Sequence, residues 1–274
     1  MLFLAEKIKL PREVVELIIN ADIHMDDVWL AEAVRKLFSR NTWNEGLADL
    51  KKMLGEDSDG MKMLTVMLQA ALLSWEKYKE AGISEEIFVA TMKCFSRFVN
   101  ESMERSGRYY FNRDFWTPRQ LALQLFRIGE LEYELVDKDT QKYVSIHIPS
   151  DADMNKVALR KSYELARDFL KTYFPGYADV KMSCESWLLS PALKELLPAD
   201  SRIRKFQENF IIEKRIPDVN DYAEWVYGIE ENGQIDVGSL PEKTSLQRAM
   251  KTFLLAGGKV GIALGSLKEE PFKE

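Results

Sequence analysis

Residues suited to chemistry are sparse in this 274-residue chain, and the two that stand out are a histidine and a glutamate in its second half. His147 falls on the polar side of an alternating segment, Tyr143 to Ile148, together with Ser145, just before the turn Pro149-Ser150-Asp151. Glu185 interrupts the otherwise apolar run Val180-Lys181-Met182-Ser183-Cys184-Glu185-Ser186-Trp187-Leu188. A carboxylate among such neighbours is paired or perturbed, and a buried carboxyl with raised proton affinity suits proton abstraction near neutrality. An imidazole near the end of one strand and a carboxylate inside another therefore point to proton transfer. Plainer readings stand beside that one: a structural ion pair or an exposed strand face for Glu185, and a satisfied surface or core histidine for His147. Cys184 reads as a small buried hydrophobe, since nothing nearby in sequence is positive enough to make it a reactive thiolate.

Other chemistries lack their residues. The two histidines, His24 and His147, carry no H-x-x-x-H or C-x-x-C around them, so no metal site is expected. No Gly-x-Ser-x-Gly pentapeptide is present for a nucleophile elbow. The glycines around Lys259 follow a helix and precede a strand, the reverse of a phosphate-binding loop, and read as a helix cap. With 46% hydrophobic and 30% charged residues the chain is globular, and a net charge of −6 disfavours nucleic acid and anionic lipid as partners. No apolar stretch approaches the roughly 18 to 20 residues of a membrane span, and the opening residues carry Glu6, Lys7 and Lys9, so neither span nor signal peptide is expected. Two widely spaced cysteines, Cys94 and Cys184, suit a reducing compartment, and the cytoplasm is the expected location.

Two kinds of element must position these residues. From Pro11 to Ser106 the apolar period is helical: Val14, Val15, Ile18 and Ile19, then a segment starting near Asp26 and Asp27, then Met61 to Tyr78 stopped by Gly82, then a stretch after Ser84 carrying Phe88, Met92, Phe95 and Val99. Thr117-Pro118 opens a short helix through Phe126, ended by Gly129. The period then drops to two. Leu131, Tyr133 and Leu135 face one way and Glu130, Glu132 and Glu134 the other, which predicts a half-buried strand hairpinned to Tyr143–Ile148 through a polar turn at 137–142. A helix is predicted over 155–174 and a central strand over 180–189, then a short helix from Ser190 to Pro198. Strands over 203–212 and 225–229, a helix over 241–256 and a last strand over 260–264 follow. The expected fold class is α+β in two domains, an all-α helical bundle over 1–117 and a mixed β-sheet flanked by helices over 118–274.

The segments Phe126-Arg127-Ile128-Gly129-Glu130-Leu131-Glu132-Tyr133-Glu134-Leu135, Ile146-His147-Ile148-Pro149-Ser150, Ser186-Trp187-Leu188-Leu189-Ser190-Pro191, Leu196-Leu197-Pro198 and Phe206-Gln207 resemble a bacterial acyltransferase-like family. Its members join a helical N-acyltransferase N-terminal domain to a GNAT-like C-terminal domain. The resemblance implies direct transfer of an acyl group from acyl-CoA, as co-substrate, to an amine or peptide acceptor. It implies that the strands carrying His147 and Glu185 lie side by side, with Glu185 as base, directly or through water. Trp187 becomes a wall of the cleft, with Ser186 and Ser145 lining it. The turn at Ser150 and Ala152 becomes the place where helix-start N–H groups meet the pyrophosphate. That turn lacks the glycine-rich pattern of wider GNAT proteins and carries Asp151 and Asp153 instead, which leaves an alternative open: a non-catalytic GNAT-like module that binds a metabolite or protein.

Overall fold

The computed structural model describes residues 1–21, 23, 28–138, 141–229 and 235–272. His24, the expected helix start at Asp26 and Asp27, and the tip of the turn within 137–142 lie outside the described residues. The chain forms two compact units, Met1–Ile128 and Gly129–Glu274, where the sequence reading divides it after Thr117.

The first unit is built of α1 (Leu2–Lys7), α2 (Arg12–Asn20), α3 (Val28–Lys36), α4 (Trp43–Leu54), α5 (Met61–Glu80), α6 (Glu85–Met92), α7 (Cys94–Ser106) and α8 (Pro118–Leu121), ending in a short strand β1 (Leu125–Ile128). Its axis is α5, whose Met63, Leu64, Val66, Met67, Leu68, Ala70 and Ala71 are buried and which packs against α1, α2, α4, α6 and α8. Gly60 starts it and Gly82 follows it, both with left-handed φ, near 71° and 73°. At Gly60 no side chain fits, because a Cβ there would lie 1.9 Å from the Phe111 carbonyl oxygen. The stretch after Ser84 is two helices, interrupted at Lys93, rather than one. The short helix at Pro118 stops at Leu121, and Phe126 belongs to β1, whose Arg127 N–H donates to Thr91 Oγ1 at 3.1 Å.

In the second unit, β2 (Leu131–Lys138), β3 (Gln141–His147), β4 (Met182–Ser186), β5 (Phe210–Ile216) and β6 (Ile262–Leu267) follow the order β2-β3-β4-β6-β5. β2 and β3 form the expected hairpin, with Tyr133 opposite Ile146 and Glu134 opposite Ser145. β3 and β4 are parallel, joined by α9 (Lys156–Tyr173), the crossover that parallel strands require. β4 is central, as its sequence predicts, but it ends at Ser186. The Ser186 Oγ accepts from Leu188 N–H at 3.1 Å and turns Trp187–Leu189 into a single 3₁₀ turn.

Two further expectations are overturned. The segment read as a strand from Ile203 begins as a helix, α11 (Arg202–Gln207), because Ser201 caps it by accepting from Arg204 N–H at 3.1 Å; β5 starts only at Phe210. The other covers 225–229, which lies largely in α12 (Asp221–Tyr227), ended by Gly228 in the left-handed region. There the run Trp225-Val226-Tyr227 favours a strand locally, but Tyr222 and Ala223 bury into a cluster with Leu193 and Met250, and tertiary packing overrides propensity. The cluster joins α12 to α10 (Leu193–Leu196) and α13 (Ser245–Leu255), and Trp187 packs on it. Among the described residues no helix is long and apolar enough to cross a membrane.

Candidate active site

Strand pairing sorts the second unit's sheet into two unlike faces. Tyr133, Ile146 and Cys184 share one face, which α9 covers with Leu159, Tyr163, Ala166 and Leu170, all fully buried. A single serine of α9 pins this face. Ser162 Oγ accepts from Leu131 N–H at 3.2 Å and lies 3.0 Å from the Tyr133 hydroxyl. On the opposite face the register places Glu132 and Glu134 of β2, Ser145 and His147 of β3, Ser183 and Glu185 of β4, and Ser266 of β6.

His147 and Glu185 therefore lie on the same face of adjacent strands, and the pairing between those strands stops short of both. β3 and β4 are in register only at Val144 with Met182 and at Ser145 with Ser183, although β3 continues to His147 and β4 to Ser186. Parallel strands whose pairing ends short of their carboxyl ends are a place where an extended ligand can join a sheet by pairing with a strand edge.

Around this place the side chains are held as follows. His147 Nε2 lies 3.0 Å from Glu134 Oε2; the imidazole is 25% exposed and the carboxylate side chain 7%. Glu132, directly across from His147, is buried as well. The glutamates of β2 thus do not form the solvent face that their alternation predicts. Glu185 is exposed rather than enclosed, so its apolar sequence neighbours do not bury it. Ser145 is partly buried, and Ser183 beside it is buried. Ser186 spends its hydroxyl on the Leu188 N–H, and Trp187 turns into the α10–α12–α13 cluster. Farther along the face, Glu213 takes hydrogen bonds from Lys181 and from Ser266, and these hold its carboxyl below the usual carboxylate range. Cys184 points the other way, fully buried, and burial followed by the neighbouring Glu185 charge pushes its thiol well up, the opposite of a nucleophile.

Ser150 and Ala152 lie in the turn that leads from β3 into α9. Here the chain satisfies its own N–H groups. Ala152 N–H donates to the Pro149 carbonyl at 3.0 Å, Asp153 N–H to Glu130 Oε2 at 2.9 Å, Asn155 N–H to Asp153 Oδ1 at 2.9 Å, and Val157 N–H to Asn155 Oδ1 at 2.8 Å. Arg202 of α11 reaches Asp153 Oδ1 at 3.5 Å, which brings a guanidinium beside the turn. Among the described residues no group of three or more His, Cys, Asp or Glu is placed to hold a metal ion.

Sequence reasoning missed Glu134, although the signal was present. A hairpin closed at 137–142 sets Glu134 on the same face as His147 and two residues on from the histidine's cross-strand partner Glu132, a diagonal that long side chains span.

Residues 125–267 match the family described as GNAT-like C-terminal domain, and residues 3–123 match the N-acyltransferase N-terminal domain. No curated protein matches the chain. Solved structures do share its fold. One is an acyltransferase in complex with decanoyl-CoA and teicoplanin, at 22% identity and a TM-score of 0.79 over 97% of this chain and 87% of that one. Another is an acyltransferase mutant in complex with octanoyl-CoA, at 23% identity and 0.80 over 97% and 86%. A third is an acyltransferase in complex with CoA and 10C-teicoplanin, at 22% identity and 0.80 over 97% and 87%.

Proposed function

The chain belongs to the GNAT-like C-terminal domain family, and from that premise we propose that it transfers an acyl group from acyl-CoA to the amine of a small-molecule acceptor. The observation that carries the reading is the early parting of β3 from β4, with His147 and Glu185 at the mouth of the opening. Acyltransferases with acyl-CoA, and in one case both an acyl-CoA and teicoplanin, have the same fold, which supports a site for two substrates.

The chemistry assigns work to both groups. An alkylammonium acceptor must lose one proton before it can attack and a second as its nitrogen bonds to the thioester carbon. Glu185, exposed at the mouth, takes the first, directly or through water, and releases it to solvent. His147 takes the second while the N–C bond forms and the C–S bond breaks, and returns it to the departing thiolate. Amide, free thiol and one solvent proton balance the reaction. Ser145 and Ser183 line the floor of the opening. An extended pantetheine arm fits a strand edge; the start of α9 fits a pyrophosphate only when Glu130 gives up the Asp153 N–H.

That self-capped turn favours a second reading, a GNAT-like module that binds a metabolite or protein without acyl chemistry. Thermal unfolding with CoA, octanoyl-CoA and decanoyl-CoA separates the two. A ligand at a hundredfold excess over its Kd adds about 2.7 kcal/mol, and absence of a shift with all three ends the acyl-transfer reading. Where binding is seen, Glu185→Gln should keep it while turnover falls about a hundredfold.

A further inference from the structure

A buried carboxylate held against a half-buried imidazole carries a consequence beyond the reaction itself. Glu134 is 5% exposed on β2, and its Oε2 meets His147 Nε2 at 3.0 Å. The two residues are diagonal neighbours across an antiparallel hairpin, so their approach is fixed by strand register and not by a loop. An ionised carboxylate only accepts hydrogen bonds, so with Glu134 ionised the proton in this contact belongs to Nε2. The neutral ring then carries its lone pair on Nδ1. Glu132 stands directly opposite His147 in the ladder, and Glu134 lies two residues on, on the same face. The lean of the imidazole toward Glu134 sets the direction of its other edge.

We propose that Glu134 is the positioning residue of the site, fixing His147 as the Nε2–H tautomer and thereby making Nδ1 the atom that takes the acceptor's second proton. The carboxylate touches neither substrate. It acts by holding the ring in one orientation and by offering a fixed negative partner when the imidazolium forms, as orienting acids do for catalytic histidines elsewhere. The proton passes from the acceptor nitrogen to Nδ1 as the N–C bond forms, and from Nδ1 to the thiolate sulfur once the C–S bond has broken; Nε2–H stays in place throughout. This assignment rests on the reading of His147 as a base, and the experiment separates the two.

The chain has only two histidines, so imidazole ¹⁵N spectra of uniformly labelled protein can be assigned with a His24→Gln variant. Neutral His147 should show the widely split pair of shifts of a single Nε2–H tautomer in the wild type. In Glu134→Ala that pair should collapse toward the averaged shifts of a tautomer mixture. An unchanged tautomer in Glu134→Ala, or an Nδ1–H tautomer in the wild type, overturns the proposal whether or not the protein is an enzyme. The kinetic arm follows CoA release from octanoyl-CoA with a simple primary amine. Glu134→Ala and the near-isosteric Glu134→Gln should each lower kcat about a hundredfold with KM for octanoyl-CoA within twofold, a split that loss of fold does not give. Unchanged kcat in the Ala variant removes Glu134 from the mechanism. Absence of release in the wild type with an intact tautomer signature refutes the acyl-transfer reading and leaves the Glu134–His147 pair standing.

Discussion

Replacing Ser162 by alanine tests how the sheet that carries the site is held on α9. Ser162 is fully buried, and its one oxygen serves two partners, the Leu131 N–H at 3.2 Å and the Tyr133 hydroxyl at 3.0 Å. Leu131 opens β2, three positions before Glu134. Alanine removes a single atom, so the cavity cost is small and the loss is in hydrogen bonding. A buried backbone N–H deprived of its acceptor costs about 1–3 kcal/mol, and the bond to Tyr133 adds about 1. The expected destabilisation is about 3 kcal/mol, read as a fall in urea midpoint at constant slope in the transition of the second unit. Tyr133→Phe removes only the outer end of the pair and should cost about 1 kcal/mol. In the double variant the phenol no longer meets a methyl group where it had a partner, so the loss should fall short of the sum by about 1 kcal/mol. Additivity within about 0.3 kcal/mol, or a Ser162→Ala loss below about 0.5, refutes the view that this serine ties β2 to α9.

Gly60→Ala should cost the first unit about 2 kcal/mol or more, because the new Cβ meets the Phe111 carbonyl oxygen at 1.9 Å on top of a left-handed φ. Gly107→Ala, left-handed with φ near 73° but with nothing within 4 Å, should cost only about 1; equal losses in the two variants would show that the contact with Phe111 does not matter. Stability should also fall in alkali. Burial raises Cys184, Tyr78 and Tyr163 above their ordinary values of 9.0 and 10.0, so above pH 9 the unfolded chain gives up protons that the folded chain keeps. The stabilisation is complete well below pH 9 and declines by about 1.4 kcal/mol per pH unit for each group, above pH 9 for Cys184 and above pH 10 for the two tyrosines. Cys184→Ala should flatten the slope by about half a proton at pH 9, rising toward one at pH 10, and an unaltered slope would refute the assignment.

Both classes of element were legible where one residue type repeats at one period. The stripe Met63, Leu64, Met67, Leu68, Ala71 specifies α5, and Asn155 with Pro175-Gly176 bounds α9, because burial at a fixed spacing and the capping of orphan N–H groups are local demands. The hairpin of β2 and β3 was legible for the same reason. Local signals misled at Trp225-Val226-Tyr227 and at Ile203, where a strand-like run is drawn into a helix by a cap at Ser201 or by a cluster around Met250 that the chain meets only after folding.

The sequence by itself determined the two unlike halves, the alternation that sets Leu131, Tyr133 and Leu135 on one side of β2 and Val144 and Ile146 on one side of β3, and the candidacy of His147 and Glu185, since alternation and residue chemistry are written along the chain. Only the tertiary structure decided which carboxylates are enclosed. Alternation tells that Glu132 and Glu134 share a face, but whether that face meets water depends on what lies over it, and that is set by residues distant in sequence. Glu185, between Cys184 and Ser186, is open to solvent, while Glu134, between Tyr133 and Leu135 on an alternating strand, is buried against His147. The parting of β3 from β4 is likewise a property of the paired strands and not of either one, because a strand's own residues specify its pleat but not where its neighbour leaves it.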